Sequence, residues 1–332
     1  MKNFIYASIF VSAFVFLGCS TKEVYTPQDT AGEWEQQSSM KAKIIDKGSD
    51  VALLENAQVL TKDTLLDLNI TEEERVLGVS DGWIISATID GNLTLTALQD
   101  FNNTKHFDLK DTVATASVSG DTMAVLFANN DMALYDINTQ ELLFKEQGGK
   151  ASVVDIRIVA PQFMGDLVIF ATLDGKVVII NTKLKKILRT VIISSEDNFN
   201  NIIYLNTLNN RIIAATGFKV LSLARQEKRV AYDIRCIMSD NKSIYIATKE
   251  GRILSLTPDL DVVHKVKLPF AHILGMIEDD DSIYLLEKEE YIIKVDKKTF
   301  EYQVYETDFS DGLAFVGKNA FYVDDTKITI KK

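Results

Sequence analysis

The chain has 332 residues, 46% of them hydrophobic and 25% charged, with a formal net charge of −11. That balance supplies a large core and a soluble surface. It also argues against nucleic acid as a partner, because phosphate binding needs a dense basic face that no stretch of this sequence provides.

Residues 1–18 read as a signal peptide rather than part of the fold. Lys2 supplies the positive start, and Phe4 to Leu17 form an apolar run too short to span a membrane comfortably. Leu17-Gly18-Cys19 resembles the lipobox of bacterial lipoproteins. The resemblance implies cleavage before Cys19 and lipid on its thiol; an ordinary secretory peptide with an incidental cysteine is the alternative. Several acyl chains together anchor stably where one does not. Cys236 is then the one remaining thiol, so no internal disulfide can form, and a cysteine in the apolar run DIRCIM reads as a small buried hydrophobe.

Residues 19–40 are polar and lack any period, which predicts a flexible tether. From Lys41 to the C-terminus, short runs of valine, isoleucine, leucine, tyrosine and phenylalanine alternate with turn residues. This is the pattern of many short antiparallel strands in a single all-β domain, 41–332. Three phrases nearly repeat: SATIDGNLTLTA from Ser86, FATLDGKVVIIN from Phe170 and IATKEGRILSLT from Ile246. In each, two apolar strands flank a tight reversal in which Gly91, Gly175 or Gly251 can take positive φ.

Aligning the residue after each second strand gives Thr61, Thr88, Asn129, Thr172, Thr216, Thr248, Glu287 and Asp324. The spacings run from 27 to 44 with a mean near 38. An all-strand period of that length predicts a β-propeller of four-stranded blades, eight by this count, with seven open because the first unit is short. The last unit supplies three strands before the chain stops. Residues 42–47, AKIIDK, are the candidate fourth, which would close the ring by pairing the two ends.

Catalytic chemistry leaves little trace. His106, His264 and His272 stand at no metal-ligand spacing, so no metal or other cofactor is expected, and no nucleophile elbow, Walker loop or dinucleotide fingerprint occurs. His106 and His264 fall near the ends of outer strands, while His272 opens an inner strand. Glu278-Asp279-Asp280-Asp281 lacks the alternating carboxylates of a calcium loop and reads as a solvated reversal between two strands.

Asp136-Ile137-Asn138-Thr139-Gln140 resembles the quinoprotein-type propeller repeat, Asp-x-x-Thr-Gly followed by tryptophan, and Asp296 to Val304 follows the same outline. Both lack the glycine and the tryptophan, so aliphatic and phenylalanine packing must replace tryptophan docking. With the lipobox and the polar segment, the repeats resemble the BamB family of outer-membrane β-barrel assembly lipoproteins. Val154-Asp155-Ile156-Arg157 before Ala160-Pro161 is similar to that family's Leu-Ser-Leu-Arg segment. The resemblance implies contact of Val154, Ile156 and Arg157 with a periplasmic domain of a BamA-like barrel-assembly protein. The family's acidic positions in the next loop correspond to Asp197, Asn198 and Asn200, two of which are amides here. The competing reading of the residues themselves is that Val154 and Ile156 begin an inner strand; Asp233-Ile234-Arg235 repeats the local pattern.

The function expected from these features is a non-enzymatic scaffold, lipid-anchored at the periplasmic face of the outer membrane. Its blade-connecting loops would bind the assembly protein, and its blade edges would offer nascent outer-membrane strands a place to pair. The alternative is a propeller binding a small molecule or glycan in its channel, with or without catalysis.

Overall fold

The computed structural model describes residues 23–330 except 69, 72, 152, 153 and 197; the signal segment, Cys19 and Asp197 therefore lie outside the described residues. Among the described residues the regular elements are all strands, grouped in eight four-stranded antiparallel sheets. The sheets are the blades of a β-propeller, as the period predicts. Blade 4 shows the plan, running outward from the axis as Gln162–Met164, Leu167–Ala171, Lys176–Asn181 and Lys186–Ile192. The first strands of all eight blades line one central channel.

The inner strands are buried on both faces because successive side chains point to opposite neighbours. In blade 2, Ile84 packs with Val51 and Val59 of blade 1, whereas Ile85 packs with Ala116 and Val125 of blade 3. The same division recurs at every junction, giving eight interblade cores; the last joins Phe315 and Tyr322 of blade 8 to Ile44 and Leu60 of blade 1. A continuous apolar run such as KVVIIN thus serves two cores at once.

The repeated phrases are the central hairpins of blades 2, 4 and 6. Gly91, Gly175 and Gly251 have φ of 87°, 80° and 77°. Each also lies under the chain that leads on to the next blade, where a Cβ would collide with Asp111, Asn200 or Leu268. Glycine is required there twice over, by conformation and by approach.

Three expectations need correction. Thr61 ends the third strand of blade 1, Val59–Thr61, not the second, which is Val51–Leu54. Its hydroxyl accepts from the Thr64 N–H at 3.0 Å, as Thr172 accepts from Lys176 at 2.9 Å, so the same threonine-capped turn occurs one hairpin later and shortens the apparent first spacing. Closure of the ring by pairing of the two chain ends holds, but the closing strand is Gln37–Ser39, with Gln37 opposite Ile328 and Ser39 opposite Thr326. Ile44–Lys47 is instead the innermost strand of blade 1. The physical reason is burial: Ala42 and Ile44 have apolar partners, which an inner strand requires, whereas the exposed outer position accepts Gln-Ser-Ser.

The third correction concerns residues 23–40, which lie against the propeller rather than away from it. Tyr25 is 5% exposed and meets Tyr291 edge-on. Ala31 and Trp34 donate backbone hydrogen bonds to Val304 and Glu306, along the outer strand of blade 7, before the chain enters blade 8. Trp34 sits between Tyr284 and Tyr305, and its indole N–H donates to the Thr329 carbonyl at 3.0 Å. Edge pairing uses backbone groups, so polar side chains conceal it.

Candidate functional site

Strand direction alternates within a blade, so the turns between second and third strands and the connectors to the next blade emerge on one face, termed upper. The remaining turns emerge on the lower face. The two longest connectors, 147–161 and 193–203, leave the upper face on either side of blade 4. Two glycines let the first of them lie close to the blades. A Cβ on Gly148 would strike the Asn130 backbone, and one on Gly149 would strike the Asp174 carboxylate. Fully buried Asn130 donates to the Gly149 carbonyl at 2.9 Å and accepts from the Leu173 N–H at 2.8 Å, tying the connector to the central turn of blade 4.

Asn201 joins the two connectors. Its amide donates to the carbonyls of Asp155 and Arg157 at 3.1 and 3.2 Å and accepts from the Asp155 N–H at 2.6 Å, with no exposed surface of its own. Only an amide side chain offers donor and acceptor together in this way. The run EDNFNN carries that signal, but it points equally to any of its three asparagines.

The positions singled out from sequence separate into different environments. Residues 154–158 form no strand, which removes the inner-strand reading. Val154 packs against the core between blades 3 and 4, while Ile156 is 82% exposed. Arg157 turns into the channel, where its Nε donates to Asp155 at 2.8 Å and its Nη2 pairs with the same carboxylate. Burial disfavours both charges, but their mutual hydrogen bonds outweigh it, holding Asp155 below the usual carboxylate range and Arg157 above its ordinary value. Val154, Ile156 and Arg157 are therefore not presented together. Asn200 is buried, donating to the carbonyls of Asp174 and Ser194, and so braces a turn; Asn198 is exposed. Beside Asn198 stands Phe199, which the sequence reading passed over, 49% exposed with φ of 53°.

Phe199 has counterparts. Phe270 is 55% exposed with φ of 65°, in the connector from blade 6 to blade 7, and Ile89 in the central turn of blade 2 is 76% exposed. With Ile156 they place four bare apolar side chains on the upper face. A bulky residue in the left-handed region is uncommon and costs on the order of 1 kcal/mol.

The channel encloses a cavity of about 880 Å³. Lys47, Arg157 and Arg235 line it around Cys236. Burial pushes the Cys236 thiol up to about 11 and lowers the Lys47 amine. Arg157 Nη1 donates to the Arg235 carbonyl at 2.5 Å, so the two Asp-Ile-Arg tripeptides meet here. His272 immediately precedes the inner strand of blade 7, Ile273–Glu278: its ring Nε2 lies 2.7 Å from Arg235 Nη1, and its backbone N–H donates to Glu287. His264 stacks on Phe300, and His106 is exposed on an outer strand. Among the described residues no group of three His, Cys, Asp or Glu side chains could hold a metal ion.

No family model matches the chain. It is 28% identical over 358 aligned positions to a protein named plasminogen-binding protein PgbB from Helicobacter pylori strain 26695, covering 94% of this chain and 66% of that one. It is 36% identical over 209 residues to PgbB of strain J99, covering 62% and 39%. The chain thus spans less than two thirds of the length of either relative. Among solved structures it is similar to BamB from Moraxella catarrhalis, with a TM-score of 0.65 and 12% identity, covering 92% of this chain and 98% of that one. At such identity the likeness is one of fold.

Proposed function

We propose that the protein is a non-enzymatic docking scaffold of the bacterial cell envelope, held by lipid on Cys19 at the periplasmic side of the outer membrane, with its upper face bound to a protein partner. One observation carries the reading: Ile156 stands 82% exposed on a connector whose backbone Asn201 fixes from both sides. A bare apolar side chain on a rigid backbone loses little entropy on binding, and a few such residues dominate interface energetics. Phe199, on the connector that Asn201 itself belongs to, supplies a second anchor. The fold shared with BamB supports a BamA-like assembly protein as the partner. The open outer strand of blade 2, Asp100–Asp108, supports a further role in pairing nascent outer-membrane strands.

A second reading has its own support. Similarity to PgbB runs along 94% of the chain, which favours plasminogen as the protein bound. Both readings use a docking face and part company over what docks. A detergent-solubilised pull-down from the native envelope, run beside binding to immobilised plasminogen, distinguishes them. The scaffold reading expects the assembly protein to co-purify and to be depleted by Ile156→Glu and Phe199→Asp. Retention of plasminogen without the assembly protein selects the second reading. Binding of either partner unaffected by both substitutions removes the face itself.

A further inference from the structure

We propose that the central channel contains a binding site for a small oxyanion, a carboxylate or a phosphate, formed by Lys47, Arg157 and Arg235 around Cys236. The inference does not depend on the docking reading. Three separate parts of the chain bring these cations together: the inner strand of blade 1, the connector into blade 4 and the inner strand of blade 6.

The two Asp-Ile-Arg tripeptides differ in one respect that matters. In the first, Asp155 neutralises Arg157 through two hydrogen bonds. In the second, Asp233 pairs with Lys249 at 2.8 Å, and Arg235 is left with no carboxylate among the described residues. Its Nη1 meets His272, but its Nε is buried with no hydrogen-bond partner among the described residues. Lys47 donates to the Ala314 carbonyl and likewise has no ion pair among them.

A partly buried cation without a counter-charge carries a desolvation cost, and a buried N–H without an acceptor, as at Arg235 Nε, adds its own. Among the described residues of the wall, none supplies that counter-charge. The Cys236 thiol, pushed up to about 11 by burial, stays neutral near pH 7 despite the three cations acting on it. Asp50, Glu278 and Asp279 are taken by Lys62, Lys297 and Tyr284, and Asp280 stands at the lower mouth. An oxyanion entering the cavity supplies the missing charge and acceptors. Forked guanidinium groups suit planar carboxylates and phosphates, and the cavity of about 880 Å³ is of a size that holds small ligands.

The test is isothermal titration of the full-length protein with succinate and, separately, inorganic phosphate. Saturable binding of at least one is expected, and the two arms say which chemistry the site takes. Arg235→Met and Lys47→Met should each weaken that binding about tenfold or more, whereas Lys183→Met on the lower face should leave it unchanged. If Arg235→Met fails to fold, Lys47→Met decides. Absence of saturable binding for both anions, or binding indifferent to the channel substitutions, overturns the proposal.

Discussion

Gln140 and Phe300 both stand in the left-handed region, with φ of 63° and 61°, at the place a propeller repeat of this type gives to glycine. The turn survives because the preceding aspartate is intact: Asp136 accepts from the N–H groups of Asn138 and Thr139 at 2.8 and 2.7 Å, and Asp296 does the same for Lys298 and Thr299. Gln140 is exposed and gains nothing from its position, so Gln140→Gly should raise stability by about 1 kcal/mol, read as a higher urea midpoint. Phe300 is buried and stacks on His264, so the same change there should destabilise. Asp240 and Asp279 add a pH dependence. Burial alone would raise both, yet N–H and tyrosine hydroxyl donors outweigh it and hold them below the usual range. Their contribution is therefore complete above the unfolded value near 3.9 and is lost as pH falls through the folded one. Urea midpoints of wild type and Asp279→Asn should differ at pH 7 and converge as the pH falls below the folded value. At this scale the sequence revealed Gly91, Gly175 and Gly251, because a glycine between two apolar runs has few other uses. It did not reveal Asn201 or the burial of Asn200, because an amide's partners are carbonyls distant in sequence.

At the scale of elements, the N-terminal segment does two jobs. Residues 31–34 cover the outer edge of blade 7, and Gln37–Ser39 complete blade 8. Trp34→Ala removes the ring packed between Tyr284 and Tyr305 and the bond to Thr329, and should cost about 2–3 kcal/mol, measured by denaturant unfolding. Lys297 plays a comparable part between blades 6 and 7. It pairs with Asp240 at 2.9 Å and with Glu278; burial works against its charge, but these partners outweigh it and raise its pKa. Lys297→Met leaves two carboxylates facing each other and should cost about 2 kcal/mol, less than a fully buried pair because Glu278 keeps some solvent. The inner hairpins were legible because burial on both faces writes itself as continuous apolar runs. The closing strand was not, since Gln-Ser-Ser carries no side-chain signature and its pairing rests on backbone groups alone.

For the whole molecule, eight interblade cores make a ring with no free end, and the connectors above it are fixed to that ring by buried asparagines. The period of the chain disclosed this architecture and favoured eight blades over seven, because the blades repeat the same hairpin. The placement of the candidate site was only half legible. The segment from Val154 to Arg157 does fall on an upper-face connector, but its arginine turns into the channel and one of its two apolar residues packs inward. Which way a side chain faces on an irregular connector depends on Asn201 and Gly149, and no period encodes that. In the proposed role the upper face, and not the lower, meets the partner. Photo-crosslinking in intact envelopes decides this, with the reactive group placed at Ile156, at Phe199 and at Leu184, an exposed apolar residue on the lower face. Crosslinks to one protein from positions 156 and 199, and none from 184, are the predicted result; crosslinking from 184 alone, or equally from all three, would contradict it.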